Sequence, residues 1–364
     1  MKLQEIISKI EEWCPLDYQE NYDNAGLIVG NPNMDISGAL LCLDSTEEVL
    51  DEAIKLNLNL IISHHPIIFS GLKSITGKSY IERVIVKAIQ NNIAIYSAHT
   101  NLDNLKLGVN NKIADKLGLI NRQVLSPKTG ILRKLYTYIP INDVEMVREA
   151  LFKIGGGRIG NYSECSFNTS GIGTFKGNEE SNPKIGEKGK LHQEPEMKVE
   201  LIYPVHLENK MIQTLLDSHP YEEVAYEIIT IENSNQEIGS GMIGDLVQPL
   251  SENEFLSHVK DKMGIKLIRH TSLLNRDIKS IAFCGGSGSF LLPHAIKYEA
   301  DAFVSADFKY HQFFDSDRQI LICDIGHYES EQYTQELFHS FLAEKFRNFA
   351  VHFSTVKTNP IKYF

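Results

Sequence analysis

Four apolar runs in this chain, each short enough for a buried strand, end on residues that do not belong in a hydrophobic core. Asn59-Leu60-Ile61-Ile62 leads into Ser63-His64-His65-Pro66, and Ile93-Ala94-Ile95-Tyr96-Ser97-Ala98 into His99-Thr100-Asn101-Leu102-Asp103. Later, Asp301–Ala306 stops at Asp307, and Gln319-Ile320-Leu321-Ile322-Cys323-Asp324 leads to Gly326-His327-Tyr328-Glu329-Ser330-Glu331. Segments with helical spacing separate the runs. Strands alternating with helices specify a layered α/β domain. In open α/β sheets, functional groups gather at the carboxyl ends of strands. The repeated placement of His and Asp there weighs more than any single residue.

The rhythm also sets the domain plan. Leu3, Ile6, Ile7, Ile10 and Trp13 recur at helical spacing. A loop at Tyr22-Asp23-Asn24 then enters a strand that ends at Gly30, and Gly38–Asp44 reads as the next strand. A helix over Thr46–Lys55 follows, with Ser45 or Thr46 as N-cap. Helices are also expected over Ser79–Asn91 and Gly108–Leu117. The pattern returns with a strand at Ile278–Cys284, a helix at Phe290–Glu299, a long helix at Tyr328–Phe346 and a last strand at Ala350–Ser354. The middle is different. It offers strands at Lys134–Pro140, Lys198–Tyr203 and Val224–Ile231, helices at Asp143–Ile154 and His206–Ser218, and a polar stretch at Lys176–Glu196. Two β-α-β units around a loop-rich centre suggest a ferredoxin-like α+β insert. The chain thus reads as one α/β core domain built from residues 1–129 and 236–364, interrupted at 130–235.

Composition narrows the class. A net charge of −11 argues against a general nucleic-acid surface. The five cysteines are scattered, odd in number and without a CxxC, so buried thiols in a reducing cytoplasm fit best. The N-terminus lacks the apolar stretch of a signal peptide. No run approaches the roughly 20 apolar residues of a membrane span.

Successive strand residues point to opposite faces, so His64 and His65 make a poor clamp for one ion. At a strand end, where Pro66 fixes φ, each imidazole can serve a different ion. His327 and Glu331, four apart, share one helix face. His64, His65, Asp103, His327 and Glu331 together form a nitrogen and oxygen set suited to two divalent metals, Zn, Fe, Mn or Co. A bridging carboxylate can hold two such ions ~3.5–4 Å apart, and a water they share would lose a proton near neutral pH. Glu331 is the bridging candidate, because its helix opens at the site and its side chain is long. The bland alternatives are a hydrogen-bonded His pair and an exposed helix pair. His99 suits ligation or an orienting role equally. Asp307 and His311 fit either the site or a helix cap. His99 and His311 are the candidates for handling protons. The loop Gly285-Gly286-Ser287-Gly288-Ser289 could cradle an anion or simply make a tight turn. It lacks the Gly-Lys-Ser/Thr ending of a P-loop and the spacing of the dinucleotide fingerprint.

Asp23-Asn24-Ala25-Gly26-Leu27, Ser63–Pro66, His99–Asp103, Gly285–Ser289 and Gly326-His327 with Glu331 resemble, in order and spacing, the motif series of the Nif-three-like dinuclear-metal family, also known as GTP cyclohydrolase I type 2 homologues. Gly155–Gly160 with Asn161-Tyr162-Ser163, and His219-Pro220-Tyr221-Glu222-Glu223, resemble the PII/CutA-like insert of its longer bacterial members. The resemblance implies two metal ions per chain on His64, His65, Asp103, His327 and a shared Glu331, with His99 nearby. It also implies a homohexamer, a trimer of dimers, with the sites facing an inner cavity. Tyr22 stands where the family commonly has Trp, and Ser305-Ala306-Asp307 where it commonly has Thr-Gly-Asp. The expected activity is metal-dependent hydrolysis of a small-molecule substrate, either a phosphoester or a nucleotide-like ring. The alternative is a non-catalytic metal-binding scaffold or regulator with a ligand-sensing insert.

Overall fold

The apolar runs pair as parallel strands because both their faces are covered. In the computed structural model, which describes residues 1–364, Leu60–Ser63 lies between Gly38–Cys42 and Ala94–Ser97, parallel to both. All three strands are buried throughout. Ala350–Phe353 extends this sheet in parallel on one edge, and Gly26–Val29 closes the other edge antiparallel. A second sheet has a parallel centre of Asp277–Ser287, Ala302–Ala306 and Leu321–Asp324. Asn235–Ser251 joins it antiparallel, with Ile120–Lys128 at one edge and Arg269–His270 at the other.

These two sheets form one compact unit, Met1–Pro127 with Glu237–Phe364. One apolar cluster unites them, with Leu41, Ile62 and Tyr96 from the first sheet and Phe283, Val304 and Leu321 from the second. The amphipathic helices Leu3–Trp13 and Val109–Leu117 supply Leu3, Ile6, Ile10 and Ile113 to it. Local signals set the helix ends. Thr46 caps Glu47–Lys55 by accepting from Val49 N–H, and Gly118, at φ 71°, closes Val109–Leu117 in a conformation that costs glycine least.

The second unit, Lys128–Gln236, runs strand Leu132–Pro140, helix Val144–Lys153, strands Phe167–Phe175 and His192–Pro204, helix Glu208–Ser218 and strand Tyr226–Ile231. Its antiparallel sheet places Phe167–Phe175 at one edge, then His192–Pro204, Leu132–Pro140 and Tyr226–Ile231. That order, with both helices on one face, is ferredoxin-like. Val147, Leu151, Met211 and Leu215 pack on Leu135, Val199, Leu201 and Tyr203. The opposite face carries Lys134, Tyr136, Lys198 and Glu200.

Two expectations change. The long helix expected at 328–346 is two helices, His327–Glu331 and Thr334–Lys345. Gln332 and Tyr333 lie at the break and donate to the Met263 carbonyl. The polar stretch at 176–196 is not all loop, since a strand begins at His192. Residues 235–251 form one long strand, in a part of the chain where the sequence pattern named no element. Cys14, Cys42, Cys284 and Cys323 are buried free thiols. No helix is long and apolar enough to cross a membrane.

Candidate metal centre

The parallel ladder delivers the first two histidines. His64 N–H donates to the Cys42 carbonyl and His65 N–H to that of Leu43, so both continue from the strand end. Ser63 Oγ then donates to the His65 carbonyl at 2.9 Å, which fixes the turn toward Pro66. The next strand delivers His99 and, one helical turn on, Asp103. The second sheet delivers His327 and Glu331 on the short helix that follows Leu321–Asp324.

Each histidine is oriented through Nδ1. His64 donates to the Ala98 carbonyl at 2.9 Å, His65 to Asp44 at 2.7 Å, His99 to Asp23 at 2.7 Å and His327 to Asp307 at 2.6 Å. These partners only accept, so one proton sits on Nδ1 and Nε2 is the atom left to hold an ion or a second proton. The Nε2 atoms converge on Glu331. Its Oε2 lies 3.0 Å from His65 Nε2 and 3.2 Å from His327 Nε2. Its Oε1 lies 3.8 Å from His64 Nε2, which is 3.5 Å from Asp103 Oδ1. One carboxylate therefore faces two separate donor groups.

Two atoms of this cluster, His64 Nε2 and Asp103 Oδ1, are buried without a hydrogen-bond partner. An unpartnered buried polar atom costs about 1–3 kcal/mol, so a pair of them aimed at one point needs an explanation. His64–Asp103–Glu331, His65–His327–Glu331 and His64–His65–His99 are each spaced to share an ion. The donor set fits divalent cations that accept imidazole and carboxylate together.

Electrostatics agree. Burial pulls the His64 imidazole down to about 4, which keeps it neutral. Burial also opposes a proton on His65, but hydrogen bonds to Asp44 and Glu331 outweigh it and push His65 up to about 9. His327, likewise opposed by burial, is pushed up to about 11 by Glu331 and Asp307. Burial and the Glu331 charge hold the Asp103 carboxyl well above its usual range. Glu331, despite its burial, is held well below its own range by the charge on His327 and by its contacts with His327 and His65.

Two N–H groups of the glycine loop are already engaged. Gly285 N–H donates to Asn110 Oδ1 and Gly286 N–H to Ser330 Oγ, so neither is free for an anion. Gly286 has φ +60°, and a Cβ there would meet Glu331 Oε1 and the His327 ring. The loop is glycine because the strand end lies against the cluster. His311 is not brought to the cluster. It stands exposed on the 3-10 turn Tyr310–Ser316, against the rings of Tyr310 and Phe314, outside the cavity lining. Asp44 and the Asp307–His327 contact orient two of the cluster's histidines, and the sequence did not single them out. The signal for Asp44 was present, since it too ends an apolar strand. A cavity of about 540 Å³ opens over the cluster.

Comparison with known proteins agrees with this geometry. The profile of the family described as Duf34/NIF3 (NGG1p interacting factor 3) matches residues 1–360. A Halalkalibacterium halodurans protein named GTP cyclohydrolase 1 type 2 homolog is 39% identical, covering 99% of this chain and 98% of its own. A Bacillus subtilis protein of the same name is 37% identical over 99% and 98%. The crystal structure of a Bacillus cereus protein related to NIF3 superposes with a TM-score of 0.86 at 36% identity, covering 100% of this chain and 99% of its own. With two sheets that bring His and carboxylate to one point, and a match that spans both units, this chain belongs to the Duf34/NIF3 family.

Proposed function

We propose that the chain is a metal-dependent hydrolase with two divalent ions, one on His64, Asp103 and Glu331 and the other on His65, His327 and Glu331. The observation that carries this is the split of Glu331, whose oxygens face two donor groups that include the unpartnered His64 Nε2 and Asp103 Oδ1. Bound there, the ions would polarise a substrate oxygen and make a water acidic enough to attack at neutral pH. The chain's own residues do the rest. Asp23 holds His99 through Nδ1 and leaves its Nε2 to take or give a proton. Phe69 stands edge-on to that ring at 5.5 Å and limits how it can tilt. Asp44 and Asp307 keep His65 and His327 aimed at Glu331. The names of the relatives favour attack on a nucleotide-like ring, and phosphoester hydrolysis is the other chemistry such a centre serves. The hexameric ring expected from the family resemblance goes with this reading, and light scattering at roughly six times the 41.2 kDa chain checks it.

The test is metal counting by elemental analysis with a turnover screen. Wild type should carry about two ions per chain. His65→Ala should lose one of them, keep the other and lose turnover. If fully loaded protein leaves phosphoesters, cyclic amides and GTP unchanged, the hydrolase reading fails and a metal-binding scaffold takes its place.

A further inference from the structure

The cavity over the cluster contains no lysine or arginine among its lining residues. Carboxylates are plentiful there. Asp23, Asp44, Asp103, Asp307 and Glu331 all lie within or directly against the cluster, and Glu20 joins the lining. Two divalent ions would bring four positive charges against those five carboxylates, with the histidines neutral as ligands. Nothing is left over to balance a polyanion. Arg269, the cation close enough to act on Asp307, is tied to Asp324 and lies outside the lining. Sites that bind phosphate chains supply Lys, Arg or a helix N-terminus with free N–H groups. Here the loop N–H groups of Gly285 and Gly286 are already taken.

What the rim does offer is aromatic surface. Tyr22, Phe69, Tyr80 and Phe290 line one cavity and are 69%, 52%, 57% and 61% exposed. Grouped aromatic faces beside a polar centre suit a flat ring, which they hold by stacking without reading charge. Ser70, Ser287 and Asn359 add neutral hydrogen-bonding groups.

We propose that this site takes an uncharged, planar nitrogen heterocycle of the cyclic-amide class and rejects the same ring when it carries a phosphate chain. The proposal rests on the hydrolase reading for its chemistry and on the cavity for its selectivity. In the reaction, the oxygen of water bonds to the ring carbonyl carbon and the ring C–N bond breaks. The departing nitrogen takes a proton from His99, which has received one from the water. The products are a carboxylic acid and the ring nitrogen freed as an N–H group, so no other reactant is needed.

The experiment is equilibrium dialysis with metal-loaded, full-length protein, using uracil, guanosine, guanosine 5′-monophosphate and GTP as probes, with turnover followed separately. Uracil and guanosine should bind, the monophosphate at least tenfold more weakly than guanosine, and GTP more weakly still. Phe69→Ala should weaken guanosine at least tenfold with metal content unchanged. Ser70→Arg should narrow the gap between guanosine and GTP. Equal or tighter binding of the phosphorylated probes overturns the proposal and leaves the hydrolase reading standing. Failure of both phosphate-free probes to bind also overturns it. Selective binding of the phosphate-free probes without turnover of any probe supports the ligand class and removes the hydrolase reading.

Discussion

Carboxylates crowd together in two parts of this chain, and they are balanced in different ways. On the outer face of the insert's sheet, Glu200 lies 2.5 Å from Lys134 and 3.3 Å from Lys198. Both ammonium groups also stand over the Tyr136 ring, at 5.1 and 4.3 Å. Each charge there has a permanent partner and contact with water. In the core cluster, Glu331 and Asp103 are enclosed, no lysine or arginine faces them, and only imidazoles are near. The insert keeps its charges balanced under all ordinary conditions. The cluster is balanced by protons on His65 and His327, or by the ions proposed to displace them. A fixed ion pair adds modestly to stability, whereas an exchangeable one can bind and react.

The strongest way to break this contrast is Glu331→Gln, which keeps the shape and removes the shared charge. Both proposed ions should be lost together, with at least about a hundredfold weaker affinity for each, by titration with a metal-sensitive dye. Retention of one ion at wild-type affinity would show that Glu331 does not serve both donor groups. Asp44→Asn is milder. The amide can still contact His65 Nδ1 but no longer raises the basicity of the ring. Metal affinity should fall about 10–100-fold, with the fold intact by circular dichroism. An unchanged affinity would mean that Asp44 only holds Thr358, whose Oγ1 donates to it at 2.5 Å.

The parts of the cluster that were legible in the sequence are those that break a local pattern. His64, His65, His99 and His327 stand where apolar strands stop, and no packing rule puts imidazole there. Asp44 obeys the same rule but resembles an ordinary turn residue, so only its 2.7 Å contact with His65 distinguishes it. The role of Gly286 depends on a side chain 45 positions further on, which no local window contains. His311 was drawn in by its nearness to Asp307 along the chain. Asp307 adopts φ 58°, and the chain turns away there. The fold was legible wherever periodicity was clean. It was not at Phe167–Phe175, which buries no residue and contains Gly171 and Gly173. Nor was it at Asn235–Ser251, where Gly239 and Gly241, at φ 159° and 64°, read as loop. The break after Glu331 was hidden because Gln332 and Tyr333 include no glycine or proline to mark it.

The contrast also predicts opposite responses to pH with and without metal. His65 is raised in the folded chain from its ordinary 6.5 to about 9. A raised imidazole stabilises the fold fully below about pH 6.5, and this contribution fades as pH climbs through about 9. Chelator-treated protein should therefore lose stability between about pH 7 and 9, by up to about 3 kcal/mol from this group. Metal-loaded protein should not, because the ion replaces the proton, and its affinity should rise with pH over the same window. Thermal melts of both forms across that range check the sign. Parallel curves would mean that His65 keeps its proton when metal binds, and His65 would then not be a ligand.

The smallest effect tests the other half of the contrast. Glu200→Gln removes the central charge of the insert's network and leaves two lysines on one sheet face. If that network were a functional centre, the change would leave buried charges without a counter-charge and cost several kcal/mol. Lys134 and Lys198 are 29% and 36% exposed, however, and water can take over from Glu200. The expected loss is within ~0.5 kcal/mol, a shift in melting temperature of about 1–2 °C, which should shrink further in high salt. Metal content should not change, because no proposed ligand lies in the insert. A loss of several degrees that salt does not reduce would mean that this face is screened from water in the assembled protein. The insert's charges would then resemble the cluster's more closely than their exposure in a single chain suggests.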